Sequence, residues 1–290
     1  MQTAVDSGAW HSGSIGREIR FTDADFKWLC KLATEYAGIV LTDAKRQMVY
    51  SRLVRRLRPL GLTRFDQYCQ RLQDGDKAEF VEFINAITTN LTSFFREPHH
   101  FEHLKNTVLP QILSSRGGEK RIRIWSAGCS TGEEPYSIAM AVAESVPGLQ
   151  AWDVRILATD LDTNVLATAA SGIYPQERVN GLSAARIKRW FVKGRGANAE
   201  FVCVRPELKS MIRFRQLNLI QPWPVHGPFD LIFCRNVVIY FNKTTQAGLF
   251  DRFADVTRSD GHLYIGHSET LYRVCDRYDS LGQTIYRKRA

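Results

Sequence analysis

The stretch RIRIWSAGCSTGEEPYS, residues 121–137, decides the fold. Its opening run, Arg121 to Trp125, suits a buried strand, and Ala127, Gly128 and Gly132 then supply a small-residue turn. Pro135 follows in the first turn of a helix, where a missing N–H costs nothing. A strand, a glycine turn and a helix N-terminus make a nucleotide cradle, because backbone can approach the ligand and oriented amides line the pocket. Glu133 and Glu134 at the helix start give the cradle a sign. Two carboxylates there would repel a pyrophosphate and attract a cation. That points away from NAD and ATP and towards S-adenosylmethionine, whose sulfonium and amino groups are both positive.

Downstream of this stretch, strand and helix patterns alternate, which implies a parallel, doubly wound α/β sheet of Rossmann-like type. After the helix PYSIAMAVAESV come the strand VRILATD, the helix LDTNVLATAASG, the strands IRFRQLN and FDLIFCRN, the helix TTQAGLFDRFADVTRSDG and the strand HLYIGHSE. The final QTIYRKR is expected to add antiparallel at an edge. Between the second helix and the third strand lie about 40 residues, far more than a usual connection. They hold a short helix pattern (Ser183 to Phe191), a turn at Gly194-Arg195-Gly196 and an alternating run from Glu200 to Arg205. This reads as a small antiparallel β-subdomain inserted at about 173–211, of the compact kind that carries docking function.

Upstream, residues 21–88 read as all-helical. Phe26, Leu29, Leu32, Ala33 and Tyr36 recur at helical spacing, Thr22 or Asp23 serves as N-cap, and Gly38 and Gly61 break the pattern. Within LTDAKRQMVYSRLVRRLRPLGL, Val49, Leu53, Leu57 and Leu60 share one stripe. Lys45, Arg52, Arg55 and Arg56 share a neighbouring arc, with no acid interleaved after Asp43. Both a solvated helix face and a docking face remain open for that arc. Residues 1–20 are rich in Gly and Ser without the apolar core of a signal peptide, so they are expected to form a flexible arm on a cytoplasmic protein.

Composition narrows the partners. The 290 residues are 44% hydrophobic, ordinary for a globular chain, and carry 39 Lys and Arg against 30 Asp and Glu. A net charge of +9 suits an acidic partner. No apolar run approaches the roughly 18 residues of a membrane span, so no membrane insertion is expected. The six cysteines are scattered and read as reduced thiols. His99, His100 and His103 could share a helical turn, but no further ligand stands at a sensible spacing, and no metal is expected.

Ligands of doubly wound sheets sit beyond the strand C-termini. Asp160 ends the second strand, where a carboxylate accepts from ribose hydroxyls. Asn218 ends the third, beside an adenine edge. Arg235 and Asn236 end the fourth with Tyr240 a turn beyond, and His267, Ser268 and Glu269 end the fifth. There is no G-x-S-x-G elbow, Walker lysine or strict G-x-G-x-x-G. Methyl transfer needs chiefly an aligned nucleophile, and a glutamate carboxylate is already ionised near neutral pH. A site without an evident base therefore fits carboxylate methylation better than amine or ring-carbon methylation.

The segments INAITTNLTSFFREPHHF, WSAGCSTGEEPYSIAM, SGIYPQERV, GPFDLIFCRNVVIYF, KTTQ and GHSE resemble the bacterial chemotaxis receptor methyltransferases over residues 21 to 288. The resemblance implies a helical receptor-recognition domain at 21–88, a linker at 89–98 that contributes to the active site, and a class I methyltransferase domain at 99–290. It implies S-adenosylmethionine-dependent O-methylation of glutamates on chemoreceptor cytoplasmic helices, with S-adenosylhomocysteine as product and a monomeric enzyme. Carried over, Asn90, Thr92, Arg96, Glu134, Asp160, Asn218, Leu219, Arg235 and Asn236 would contact the cofactor. Arg96 and Tyr240 would stand at the reactive centre. Glu133 reads as a solvated helix-start acid. The basic residues Lys45, Arg52, Arg55, Arg56 and Arg58 would lie against the receptor, and Gly194, Arg195 and Gly196 would dock its C-terminal pentapeptide. Two rivals are a non-catalytic S-adenosylmethionine-sensing module and a nucleic-acid methyltransferase. The second is disfavoured because Cys-Arg-Asn stands after FDLIF where Asp or Asn, Pro-Pro and an aromatic would belong.

Overall fold

The computed structural model describes residues 19–115 and 118–289. The expected N-terminal arm lies outside the described residues except at its last two positions. The helical part consists of α1 (Asp23–Ala37), α2 (Arg46–Leu57), α3 (Phe65–Gln73) and α4 (Lys77–Ile87). Thr22 caps α1 in a reciprocal box: its hydroxyl accepts from the Asp25 N–H, and the Asp25 carboxylate accepts from the Thr22 N–H at 2.9 Å. Gly38, left-handed at φ 71°, ends the helix. The stripe read from α2 faces inward. Val49, Leu53 and Leu57 are fully buried with Leu29, Phe65, Tyr68 and Phe83.

Beyond the linker, α5 (Pro98–His103) runs through one π turn into α6 (Leu109–Ser115). The alternating part then comprises β1 (Arg121–Ala127), α7 (Glu133–Ser145), β2 (Asp153–Asp160), α8 (Thr163–Ser171), β3 (Ile173–Pro175), α9 (Ala184–Trp190), β4 (Phe191–Lys193), β5 (Phe201–Val204), α10 (Pro206–Lys209), β6 (Ile212–Gln216), β7 (Phe229–Cys234), α11 (Lys243–Val256), β8 (Thr257–Ile265), β9 (Tyr278–Gly282) and β10 (Ile285–Lys288).

Seven strands form one sheet in the order β6-β2-β1-β7-β8-β10-β9. The first five run parallel, with Ser126 of β1 opposite Ala158 of β2 and Phe233 of β7. Strand order reverses at β1, which places the ligand crevice beyond its carboxyl end. Phe233, Phe250 and Phe253 are fully buried against the sheet, and each contributes about 1.5–3 kcal/mol by leaving water. One expectation is corrected. The C-terminal strand β10 is antiparallel but lies inside the sheet, between β8 and β9, and β9 takes the edge. Only Tyr278 of β9 is buried, so that strand carries no alternating apolar pattern to read.

The insertion is a three-stranded antiparallel sheet, β3-β5-β4, built on the β4–β5 hairpin. Ser183 caps α9 through the Arg186 N–H. Among the described residues, no helix is long and apolar enough to cross a membrane. The cysteines carry no disulfide among the described residues.

Candidate functional site

A cavity with about 970 Å³ of empty space, its mouth included, opens beyond β1, β2 and β7. Its walls hold Asn90, Thr92, Arg96, Glu134, Asp160, Asn218, Leu219, Arg235, Asn236 and Tyr240. Every cofactor-facing and reactive-centre residue named from the sequence therefore meets in one place. Ala37, Ile39 and Ile87 of the helical part close another side.

The glycine turn is shaped for close approach. Gly128 (φ 88°) could not carry a Cβ, which would stand 2.4 Å from Val237 Cγ2. At Gly132 (φ 97°) a Cβ would meet Ala169 and the Tyr174 hydroxyl at 2.8 Å. Beside this turn, Asp160 accepts from the Ser130 N–H at 2.8 Å and the Asp162 N–H at 3.0 Å. Burial nevertheless raises its carboxyl to about 6, against an ordinary 3.8, because the two N–H donors recover only part of the lost hydration.

The two glutamates are not bare anions. Glu134 accepts from Arg235 Nε at 2.6 Å and from Ser126 Oγ at 2.7 Å. Glu133 is fully buried, contrary to the solvated acid expected. It pairs with Arg178 of the insertion and accepts from Thr131 Oγ1 at 2.6 Å. A buried carboxylate without a partner is costly, and each of these has an arginine. Of the two glutamates, Glu134 stands at the cavity wall with Asp160, and Glu133 serves the architecture.

Arg235 does more than face the cavity. Its Nη1 donates to the Arg96 carbonyl and to His100 Nδ1, 3.2 Å away. Burial, with Arg235 beside it, lowers the His100 pKa to about 3, so this imidazole is neutral and can accept that bond. Arg96 itself donates from Nη1 to the Leu91 carbonyl at 2.8 Å. Asn218 is committed to the helical part: its Nδ2 donates to the Tyr36 carbonyl at 2.6 Å, and its Oδ1 accepts from the Ile220 N–H. Of the fifth-strand residues, Glu269 is buried and accepts from the N–H groups of Gly266, Asn236 and Ile239. It shapes the Asn236–Tyr240 loop without lining the cavity. His267 bonds Glu97 at 3.0 Å.

Three residues missed in the sequence belong to the site's frame. Asp162 takes the hydroxyl of Thr88 at 2.8 Å and the amide of Asn90 at 2.7 Å, and so fastens the linker to the cradle. Arg178 reaches the Thr92 carbonyl at 3.2 Å. Glu97 joins His99 and His100, with ligand atoms within 4.8 Å of one another. The guanidinium of Arg235, 3.5 Å from Glu97 Oε2, opposes a cation there. Only Asp162 left a sequence signal, as an N-cap acid ahead of α8.

The basic arc on α2 divides. Arg56 bonds Glu79, which is 4% exposed, and pairs with Glu82 at 3.4 Å. Arg52 donates to the carbonyls of Ala86 and Thr88 and to Thr89 Oγ1. Lys45, Arg55 and Arg58 are exposed. Gly194 and Gly196 flank Arg195 at the turn leaving edge strand β4, where a Cβ on Gly194 would stand 2.0 Å from the Asn198 carbonyl oxygen.

Known proteins bear on this arrangement. Residues 90–287 match the family described as "CheR methyltransferase, SAM binding domain", and residues 24–88 match "CheR methyltransferase, all-alpha domain". The chain is 45% identical over 272 residues to the chemotaxis protein methyltransferase of Salmonella typhimurium, covering 93% of this chain and 92% of the relative. It is 46% identical over 270 residues to that of Escherichia coli, covering 92% of each. With chemotaxis protein methyltransferase 2 of Pseudomonas aeruginosa the identity is 43% over 271 residues, 93% of this chain and 95% of the relative.

Proposed function

The chain belongs to the CheR methyltransferase family, and from that premise we propose that it transfers a methyl group from S-adenosylmethionine to glutamate carboxylates of chemoreceptor cytoplasmic helices. The methyl esters formed would serve chemotactic adaptation. The observation that carries this reading is the convergence of Arg96, Tyr240 and the eight other cofactor-facing residues on one cavity closed by both parts of the chain.

The residues fit the cofactor. Gly128 and Gly132 let the turn pack against Val237, Ala169 and Tyr174 where any Cβ would clash, which sets Gly128 at the cavity wall, and Asp160 presents a carboxylate suited to ribose hydroxyls. Glu134, held on Ser126 and Arg235, offers negative charge for the amino group of the methionine moiety. When bound, the cofactor supplies an electrophilic methyl on a sulfonium. Arg96 and Tyr240 would orient the acceptor carboxylate towards it, Arg96 as the cation that draws the glutamate in and Tyr240 as the hydroxyl that fixes one oxygen. The acceptor arrives ionised, so alignment is the principal demand on the protein. The exposed Lys45, Arg55 and Arg58 supply the acidic receptor helices with a basic surface, and the turn Gly194–Gly196 beside β4 offers a place for a receptor pentapeptide. Such a tether would raise the local concentration of enzyme near its substrates.

The test is methyl transfer from labelled cofactor to receptor-containing membranes, read as base-labile methyl ester that releases methanol. Cofactor binding without any ester would favour the non-catalytic module, and label appearing in DNA or RNA instead would overturn the substrate class.

A further inference from the structure

The linker that carries Thr92 and Arg96 is gripped from its outer side by the inserted β-subdomain. Arg178 lies in the single turn Gln176–Val179 of that insertion. It donates from Nε to Glu133 Oε1 at 3.1 Å and from Nη2 to the Thr92 carbonyl at 3.2 Å. Glu133 is fully buried at the start of α7, so this one guanidinium joins three separate segments: insertion, cradle helix and linker.

Neighbouring contacts point the same way. The Tyr174 hydroxyl of β3 donates to the Thr131 carbonyl at 2.6 Å, inside the glycine turn. Phe94 of the linker packs edge-on against Tyr174 at 5.2 Å and Phe191 at 5.5 Å. The Arg186 guanidinium stacks over the Phe95 ring at 4.1 Å while it pairs with Glu144 of α7 at 2.7 Å.

The segment held in this way is strained. Phe95 (φ 51°) and Glu97 (φ 56°) are both left-handed without being glycine, and they flank Arg96 on either side. Such conformations persist only where surrounding structure enforces them. The insertion shares that enforcement with Ser137, whose Oγ accepts from the Phe95 N–H at 2.9 Å, and with Arg235 on the Arg96 carbonyl, and from the insertion Arg178 joins the cradle helix to the linker backbone.

We propose that Arg178 is a positioning residue that couples the inserted β-subdomain to the methyl-transfer cavity, by holding Thr92–Glu97 in the conformation that turns Arg96 to the cavity. The inference rests on the proposed function for its activity readout, but its structural readouts do not. The insertion is then more than a docking platform: it braces from behind the linker that lines the cavity, and whatever seats on it can be felt there.

The experiment compares wild-type protein with Arg178→Lys and Arg178→Ala. Lysine keeps the charge opposite Glu133, but as a single point charge it cannot also hold the Thr92 carbonyl in a fork. The expected signature of Arg178→Lys is an unchanged melting temperature, faster hydrogen exchange at residues 88–97 and a kcat lowered roughly tenfold at constant receptor KM. Arg178→Ala adds lost stability, because Glu133 is left buried without its cation. Should the Arg178 variants fail to fold, Phe94→Leu slackens the same segment while keeping the ion pair, and it is expected to give the same exchange and kcat signature. Wild-type exchange and kcat in Arg178→Lys would overturn the proposal, as would a loss of activity that only tracks the folded fraction. If wild-type protein transfers no methyl group, the proposed function fails by itself, and linker exchange together with S-adenosylhomocysteine affinity still decides this coupling.

Discussion

Asp160 and Asp162, two residues apart at the end of β2, serve opposite sides of the same turn. Asp160 accepts from the Ser130 N–H and borders the cavity, whereas Asp162 turns its Oδ2 to Thr88 and Asn90 of the linker. One carboxylate borders the cavity, and its neighbour fastens the linker that also lines it.

Asp160 should make cofactor binding pH-dependent. In the proposed role, ribose hydroxyls would donate to the ionised carboxylate, whereas burial raises this carboxyl to about 6, above its ordinary 3.8. Above about pH 7 affinity for S-adenosylhomocysteine should be flat, and below 6 it should fall by up to about tenfold per pH unit, because binding must first expel a proton. The same raised value means that Asp160 favours the fold most below about pH 4, and that this contribution is lost as pH rises through 6. Calorimetry from pH 5 to 8 checks the first claim. Asp160→Asn should abolish the slope, and Asp160→Ala should weaken binding strongly at pH 7.5.

Asp162→Ala should loosen the linker and destabilise the chain. It removes the N-cap of α8, worth about 1 kcal/mol, and leaves Thr88 and Asn90 without their shared acceptor, which costs about 1–3 kcal/mol more. Urea denaturation reads the first effect, and a weaker S-adenosylhomocysteine affinity in the folded fraction reads the second. An unchanged affinity would remove Asp162 from the frame of the site.

Three kinds of basic residue on and beside α2 should separate experimentally. Charge reversal at Lys45, Arg55 and Arg58, which are exposed, should lower receptor methylation most at low salt and leave stability within about 0.5 kcal/mol. Arg56→Ala should instead destabilise, because it strips the near-buried Glu79 of its cation at a cost of about 3 kcal/mol. Arg52→Ala should raise the KM for the cofactor, since Arg52 holds the backbone of Ala86 and Thr88 at the linker's start. Methylation assays at two ionic strengths, with thermal melts, distinguish the three outcomes.

Tyr240→Phe should reduce kcat by at least about tenfold with S-adenosylhomocysteine affinity unchanged, because the lost hydroxyl orients the acceptor and not the cofactor. Equal losses in both quantities would place Tyr240 in cofactor binding.

The strand ends made the cavity readable. Ligands gather beyond the carboxyl ends of parallel strands, so Asp160, Asn218 and Arg235 could be picked out from where VRILATD, IRFRQLN and FDLIFCRN stop. Partners brought from far along the chain were not readable. Arg178 meets Glu133 across 45 positions, and Asn218 meets the Tyr36 carbonyl across 182. On α2 the reading stopped at the arc. Which arginines are spent internally depends on where α4 presents Glu79 and Glu82, and no periodicity in α2 reports that. The strand β9 was missed for a simpler reason: five residues with one buried side chain leave no alternation.

The change of family description between residues 88 and 90 falls in the middle of the cavity's wall. Ala37, Ile39 and Ile87 come from before it, the Val40 N–H donates to the Tyr240 carbonyl, and the Cβ-free Gly38 nests against Ile220 and Phe241. The two parts are therefore not interchangeable modules. A hybrid carrying a relative's helical part would exchange not only the exposed Lys45, Arg55 and Arg58 but also part of the cavity's wall and the backbone contact behind Tyr240. The residues that the helical part shows to solvent and those that it lends to the cavity are therefore inherited together.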